Sequence, residues 1–196
     1  MTQVSKAAGR AGADLELSQR MQSVGRKAAA LLVAIAGLSA CSPALDWRQL
    51  RPDGWGLVVS LPCRPADLVR QVPLAGPPVE LRLLACSADG HTFAMASADM
   101  ADPARVDPAL RALGAAALAN VQGRVEAEQA AAGPGMPPYR GARRWQVAGR
   151  LPDGAAVREQ VLVFARGLRV FQATVVGPQA DGNMAQPFFD SIEVAR

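Results

Sequence analysis

Two turn signals constrain the fold most. Leu151-Pro152-Asp153-Gly154 and Arg166-Gly167 cut the C-terminal third of the chain into three segments of strand length. Glycine after aspartate or arginine reverses a chain cheaply, because it adopts positive φ without steric cost. Arg143–Arg150, Ala155–Phe164 and Leu168–Val176 are therefore expected to form a three-stranded antiparallel meander. Val161, Val163, Val170, Val175 and Val176 suit a pleated surface, where Cβ branching packs well.

Upstream, the same alternation recurs. Gly56–Leu61 is strand-like and ends at Pro62; Asp67–Leu74 follows, and Gly76-Pro77-Pro78 breaks the chain. Val79–Ala85, a turn at Ser87-Ala88-Asp89-Gly90 and His91–Ala98 read as a hairpin. The period then changes. Leu110, Leu113, Ala117, Leu118 and Val121 recur every three or four residues, so a helix is predicted over 108–121, with Asp107 as its cap and Pro108 in its first position. Val125–Ala131 is a further strand, Ala132–Pro138 a loop, and Asn183 caps a short helix through Ser191. The expected fold class is α+β: an antiparallel sheet with helices packed on it.

The N-terminal stretch carries a different message. Arg26 and Lys27 precede an apolar run of 11 residues, Ala28–Leu38, which leads into Ser39-Ala40-Cys41. Spanning a bilayer takes about 20 apolar residues, whereas a secretory leader needs roughly 7 to 15 behind a basic segment. Leu38-Ser39-Ala40-Cys41 resembles a bacterial lipobox. That resemblance implies cleavage before Cys41, a diacylglyceryl thioether on its sulfur and an acylated amine. Two or more acyl chains anchor stably, where one binds only marginally. Ser42, rather than an aspartate, follows the cysteine, which implies outer-membrane sorting. Asp14 and Glu16 are out of place in a basic leader, so translation is expected to start at Met21. The expected organisation is an extension at 1–20, a signal peptide at 21–40, a tether at 41–50 and one α+β domain at 51–196.

Charge and cysteine usage fit export. Five of the 21 Lys+Arg and two of the 17 Asp+Glu precede Cys41, so the mature balance is +1 and bulk charge makes no case for nucleic acid. With Cys41 set aside, Cys63 and Cys86 remain, an even pair that suggests a disulfide between neighbouring strands in an oxidising compartment. Metal binding is the weaker reading: there is no CxxC, and His91 is the only histidine.

The phrases Gly56-Leu57-Val58-Val59-Ser60-Leu61-Pro62-Cys63-Arg64-Pro65, Arg169–Pro178 and Phe188-Phe189-Asp190-Ser191-Ile192 resemble the PsbP/Mog-type α/β/α sandwich, in which a hydrophobic-x-Pro phrase opens the domain and an aromatic-x-Ser phrase closes the last helix. The resemblance implies docking and assembly roles more than catalysis.

Candidate sites are few. His91 sits at a turn and reads as a surface residue, without the nucleophile and orienting partner a general base needs. Ser60, Ser87, Ser97 and Ser191 lie in no Gly-x-Ser-x-Gly elbow. Asp99, Asp102 and Asp107 lack a calcium-loop pattern and read as caps and loop residues. Glu126 and Glu128, two apart, would share one strand face. Tyr139, Arg140, Arg143 and Arg144, with Trp145, are the best binding candidates, since guanidinium groups beside aromatics hold phosphate, carboxylate or an acidic surface. Asp153, Glu159 and Asp181 are possible internal partners for these arginines. The expected function is a non-enzymatic, periplasm-facing docking or accessory module, held to the membrane through Cys41 and contacting an envelope protein or ligand, with no cofactor, metal or nucleic acid. The alternative is an envelope enzyme or small-ligand binder with a pocket beside the sheet.

Overall fold

The computed structural model describes residues 45–180 and 182–195; the expected extension, signal peptide and lipid-carrying Cys41 lie outside the described residues. In chain order the elements are β1 (Arg48–Leu50), β2 (Leu57–Leu61), β3 (Ala66–Pro73), β4 (Pro78–Ala88), β5 (His91–Asp99) and α1 (Pro103–Asn120). They continue with β6 (Arg124–Ala130), β7 (Arg143–Arg150), β8 (Ala156–Arg166), β9 (Arg169–Gly177), α2 (Gly182–Asp190) and β10 (Glu193–Val194). This is the expected α+β class, built on antiparallel pairing. β1 already pairs with β2, so the end of the expected 41–50 tether belongs to the folded unit.

The meander is β7-β8-β9, joined through the turns that the sequence marks. It is part of a seven-stranded sheet of order β3-β4-β5-β9-β8-β7-β6. The β4–β5 hairpin turns on Asp89 (φ 49°) and Gly90 (φ 71°), two left-handed residues, as a tight hairpin requires.

Strand alternation gives this sheet two faces. One carries Phe93, Val175 and Phe171 and is covered by α2 and the small sheet β1-β2-β10. Phe188 of α2 meets Phe93 edge-on at 5.8 Å, and Trp55 meets Phe171 at 6.0 Å. The other face receives α1, which lies on β8 and β9 and buries Val106, Leu110, Leu113 and Ala117.

α1 starts five residues earlier than the periodicity predicts. Asp102, not Asp107, is the cap, accepting a hydrogen bond from the Ala104 amide at 2.8 Å, with Pro103 in the first turn. Asp102-Pro103 repeats the signal of Asp107-Pro108, and the outer copy wins. Pro108 is then inside the helix, where it withholds one backbone donor from the ladder. Asp107 instead accepts from the Gly141 amide at 3.2 Å and pins the loop before β7. Asn183 likewise lies inside α2 rather than capping it.

Cys63 and Cys86 form a disulfide with Cα atoms 6.0 Å apart. The bridge does not join neighbouring strands. It links the exit of β2, in the small sheet, to β4, in the large one.

Candidate functional site

The arginine-rich segment leads into β7, and strand alternation splits it. Arg143 and Trp145 point to the α1 side, while Arg144 points to the α2 side. Arg144 lies over the Phe189 ring at 4.4 Å and donates to Gln160 at 2.8 Å and Gln186 at 3.0 Å. Burial holds its pKa below the ordinary arginine value, against the opposing charge of Asp190. Tyr139 is tied elsewhere, its hydroxyl donating to the Gly167 carbonyl at 2.9 Å. The four residues singled out from sequence therefore do not form one site.

Two of them do converge. Arg140 and Arg143 line a groove of about 430 Å³ between α1 and β6–β7, together with Arg111 from α1. Gly114, Leu118, Val125 and Trp145 supply its apolar lining. Glu128 is the acidic residue of this lining and accepts from Arg143 at 2.8 Å, so two guanidinium groups are in excess. Neither Arg111 nor Arg140 has an ion pair among the described residues. The groove thus offers a half-buried indole under a positive rim, a combination enriched where proteins recognise one another. Arg111 was missed from sequence, though Arg111, Gly114, Ala115 and Leu118 are spaced i, i+3, i+4, i+7 and so share one helix face.

Gly114 makes room for that indole. A Cβ there would stand 2.5 Å from Cη2 of Trp145. Gly114→Ala is expected to destabilise by about 0–2 kcal/mol, because improved helix propensity of about 1 kcal/mol offsets only part of an overpacking cost of roughly 1–3 kcal/mol. Its clear effect is to drive the indole outward. The check is a shift of the tryptophan emission toward that of exposed tryptophan in a Trp47→Phe background, where the other remaining indole, Trp55, is buried in the core and far less affected; unchanged emission would mean that the Trp145 ring does not rest on Gly114.

The other expectations resolve individually. A β-bulge between Val125 and Ala127 breaks strand alternation at Glu126. Glu126 and Glu128 therefore part company: Glu128 lines the arginine groove, and Glu126 pairs with Arg158. His91 is buried, not a surface residue; its ring packs on Gly177, and Nδ1 lies 2.7 Å from the Asp89 carbonyl. Its Nε2 has no hydrogen-bond partner among the described residues. Asp99 pairs with Arg169 and accepts from the Ala101 amide. Ser191 accepts from the Ser60 amide and donates to the Phe188 carbonyl. Asp153 accepts from Ala155 within its own turn, Glu159 meets no arginine, and Asp181 lies outside the described residues. Among the described residues no cluster of metal-ligating side chains occurs, and no helix is long and apolar enough to cross a membrane.

The molecule is thus an antiparallel α+β sandwich with an arginine-rimmed groove on its α1 side. No family model and no curated protein matches the chain. Among solved structures it is similar to the solution structure of cyanobacterial PsbP (CyanoP) from Synechocystis sp. PCC 6803, with a TM-score of 0.47 and 9% identity, covering 80% of this chain and 98% of that one. That likeness extends to the fold alone.

Proposed function

We infer that this chain is a lipid-anchored envelope protein, facing the periplasm, that acts as a non-enzymatic docking module. The observation that carries the docking role is the groove of Arg111, Arg140 and Arg143 around Trp145. Its excess positive charge and apolar lining suit an acidic segment of an envelope protein that also places an apolar side chain beside the indole. The leader ending at Cys41 supports the anchor, and the Cys63–Cys86 bond suits an oxidising compartment. The mechanism is tethering. Confinement to a membrane raises the local concentration of the module, so a weak interface suffices.

Two measurements test this reading. The intact mass of the protein from a membrane fraction should match Cys41–Arg196 plus acyl chains, and Cys41→Ala should abolish both the added mass and membrane retention. An unprocessed, unacylated mass would remove the anchor. For the groove, the probe is a short labelled peptide alternating glutamate with leucine. The full chain should bind it saturably, more weakly at high salt, and Arg111→Ser with Arg140→Ser should weaken it about tenfold, as expected for the loss of charge-assisted contacts. Equal binding by that variant, or binding of anionic vesicles in place of the peptide, overturns the docking role.

A further inference from the structure

The α2 side of the same strands carries a second cavity of quite different chemistry. Two adjoining hollows of about 520 Å³ and 240 Å³ lie between β6–β8 and the β9–α2 connection, sharing Gln146, Gln160 and Gly182. Together they fall within the size range of small-molecule sites. Gln129, Gln179 and Gln186 complete a lining of five primary amides, with Arg144 at one end.

Part of this lining is held rigidly. Gln160 is only 3% exposed; its amide nitrogen donates to the Ala180 carbonyl at 3.0 Å, and its oxygen accepts from Arg144. Arg144 also donates to Gln186, which in turn donates to Asp190 at 2.5 Å. Gln146, the register partner of Gln160, is exposed and has no such bond, so adjacent strands present one fixed and one available amide side by side.

The charges around the cavity are close to balanced. Arg158 pairs with Glu126, Arg144 donates to two amide oxygens and is opposed by the charge of Asp190, and Glu159, the remaining acidic residue of the lining, is only 4% exposed and alternates to the other strand face from Gln160. An ionic ligand would find no net counter-charge presented to it. Primary amides offer two donors and two lone pairs each, so they match a neutral ligand whose groups both donate and accept. Hydroxyl and acetamido groups do this. A peptide is the poorer match on two grounds. The cavity lies over the sheet face, where the strand backbone is already paired, rather than along the open edge of β6. The nearest aromatic face, Phe189, is covered by Arg144 and leaves an apolar side chain no ring to rest on.

The geometry points to a binding site for a neutral saccharide in the glutamine-lined cavity between α2 and β6–β8. It is separate from the arginine groove, on the opposite face of β7, and does not depend on it.

The test titrates the full chain in detergent micelles with chitotetraose and, separately, cellotetraose, read by calorimetry and by the glutamine side-chain amide resonances. At least one saccharide should bind saturably and shift the resonances of Gln146 and Gln160. Gln129→Leu with Gln146→Leu, both at exposed positions, should weaken binding about tenfold, while Gln146→Asn retains most of it. Arg111→Ser with Arg140→Ser should bind as the parent does. No saturable binding of either saccharide, undiminished affinity in the leucine variant, or binding of an uncharged peptide in place of both saccharides overturns the proposal.

Discussion

Replacing Glu159 with glutamine is expected to stabilise the fold at about pH 8 by about 3 kcal/mol, and to change nothing at about pH 4. Glu159 lies in the first half of β8, only 4% exposed, between its register partners Val147 and Val176. No arginine pairs with it, and its Oε2 has no hydrogen-bond partner among the described residues. Burial alone disfavours the carboxylate and pushes its pKa from 4.5 to about 7. The folded state therefore holds this proton when the unfolded state has lost it. Stability falls as pH rises from the unfolded value towards about 7 and stays reduced above it. Glutamine has nearly the same shape and never ionises, so it removes the loss. Denaturant midpoints of parent and Glu159→Gln should coincide in acid and diverge through neutrality. Parallel curves across the whole range would show that the carboxyl is not held neutral.

That buried acid marks where sequence reading runs out. Glu159 shares a strand face with Val157 and Val161, so its strand position is legible, but its burial beside Val147 and Val176 depends on how the rest of the domain packs on β8, which residues near it do not specify. The same division holds elsewhere. The meander, the Asp89-Gly90 hairpin and the amphipathic stripe of α1 are local patterns, and each is readable from a few residues. The insertion of β9 beside β5 is not local; nothing near either strand specifies it. For the candidate site, the period of two was sufficient to separate Arg143 from Arg144, since adjacent strand residues face opposite ways. The arrival of Arg111 beside Arg140 required knowing that α1 packs next to β7. The bulge at Glu126 leaves no signature in the sequence at all, yet it places Glu126 and Glu128 at different cavities.

Cys63→Ser with Cys86→Ser is expected to lower stability by about 3 kcal/mol, the chain-entropy value for freeing a loop of this length. The two cysteines are 23 residues apart, and the segment between them crosses from the small sheet to the large one. It leaves β2 in the small sheet, forms β3 at the outer edge of the large one, and returns through β4. β3 has little else to hold it. Nearly all its residues are exposed, Leu68 and Val69 included, and among the described residues its only strand neighbour is β4. The ion pair of Asp67 with Arg82, at 2.7 Å, crosses the same two strands and adds little at this exposure. Without the bridge the β2 end of β3 is restrained by its hydrogen bonds and ion pair with β4, while Arg105 pins the other end of the hairpin through the Leu74, Ala75 and Pro77 carbonyls. The loss should therefore appear first as faster amide exchange in β3, then as a lower global midpoint. A reductant should move the parent to the midpoint of the double variant and leave the variant itself unmoved. A parent whose midpoint is the same with and without reductant would mean that the bridge does not restrain the unfolded chain. The bond is placed where a covalent link has most to do, because it ties an exposed edge strand back to the core: Cys86 stands on β4 opposite the buried Phe93 of β5, while β3 on the other side of β4 is almost wholly exposed.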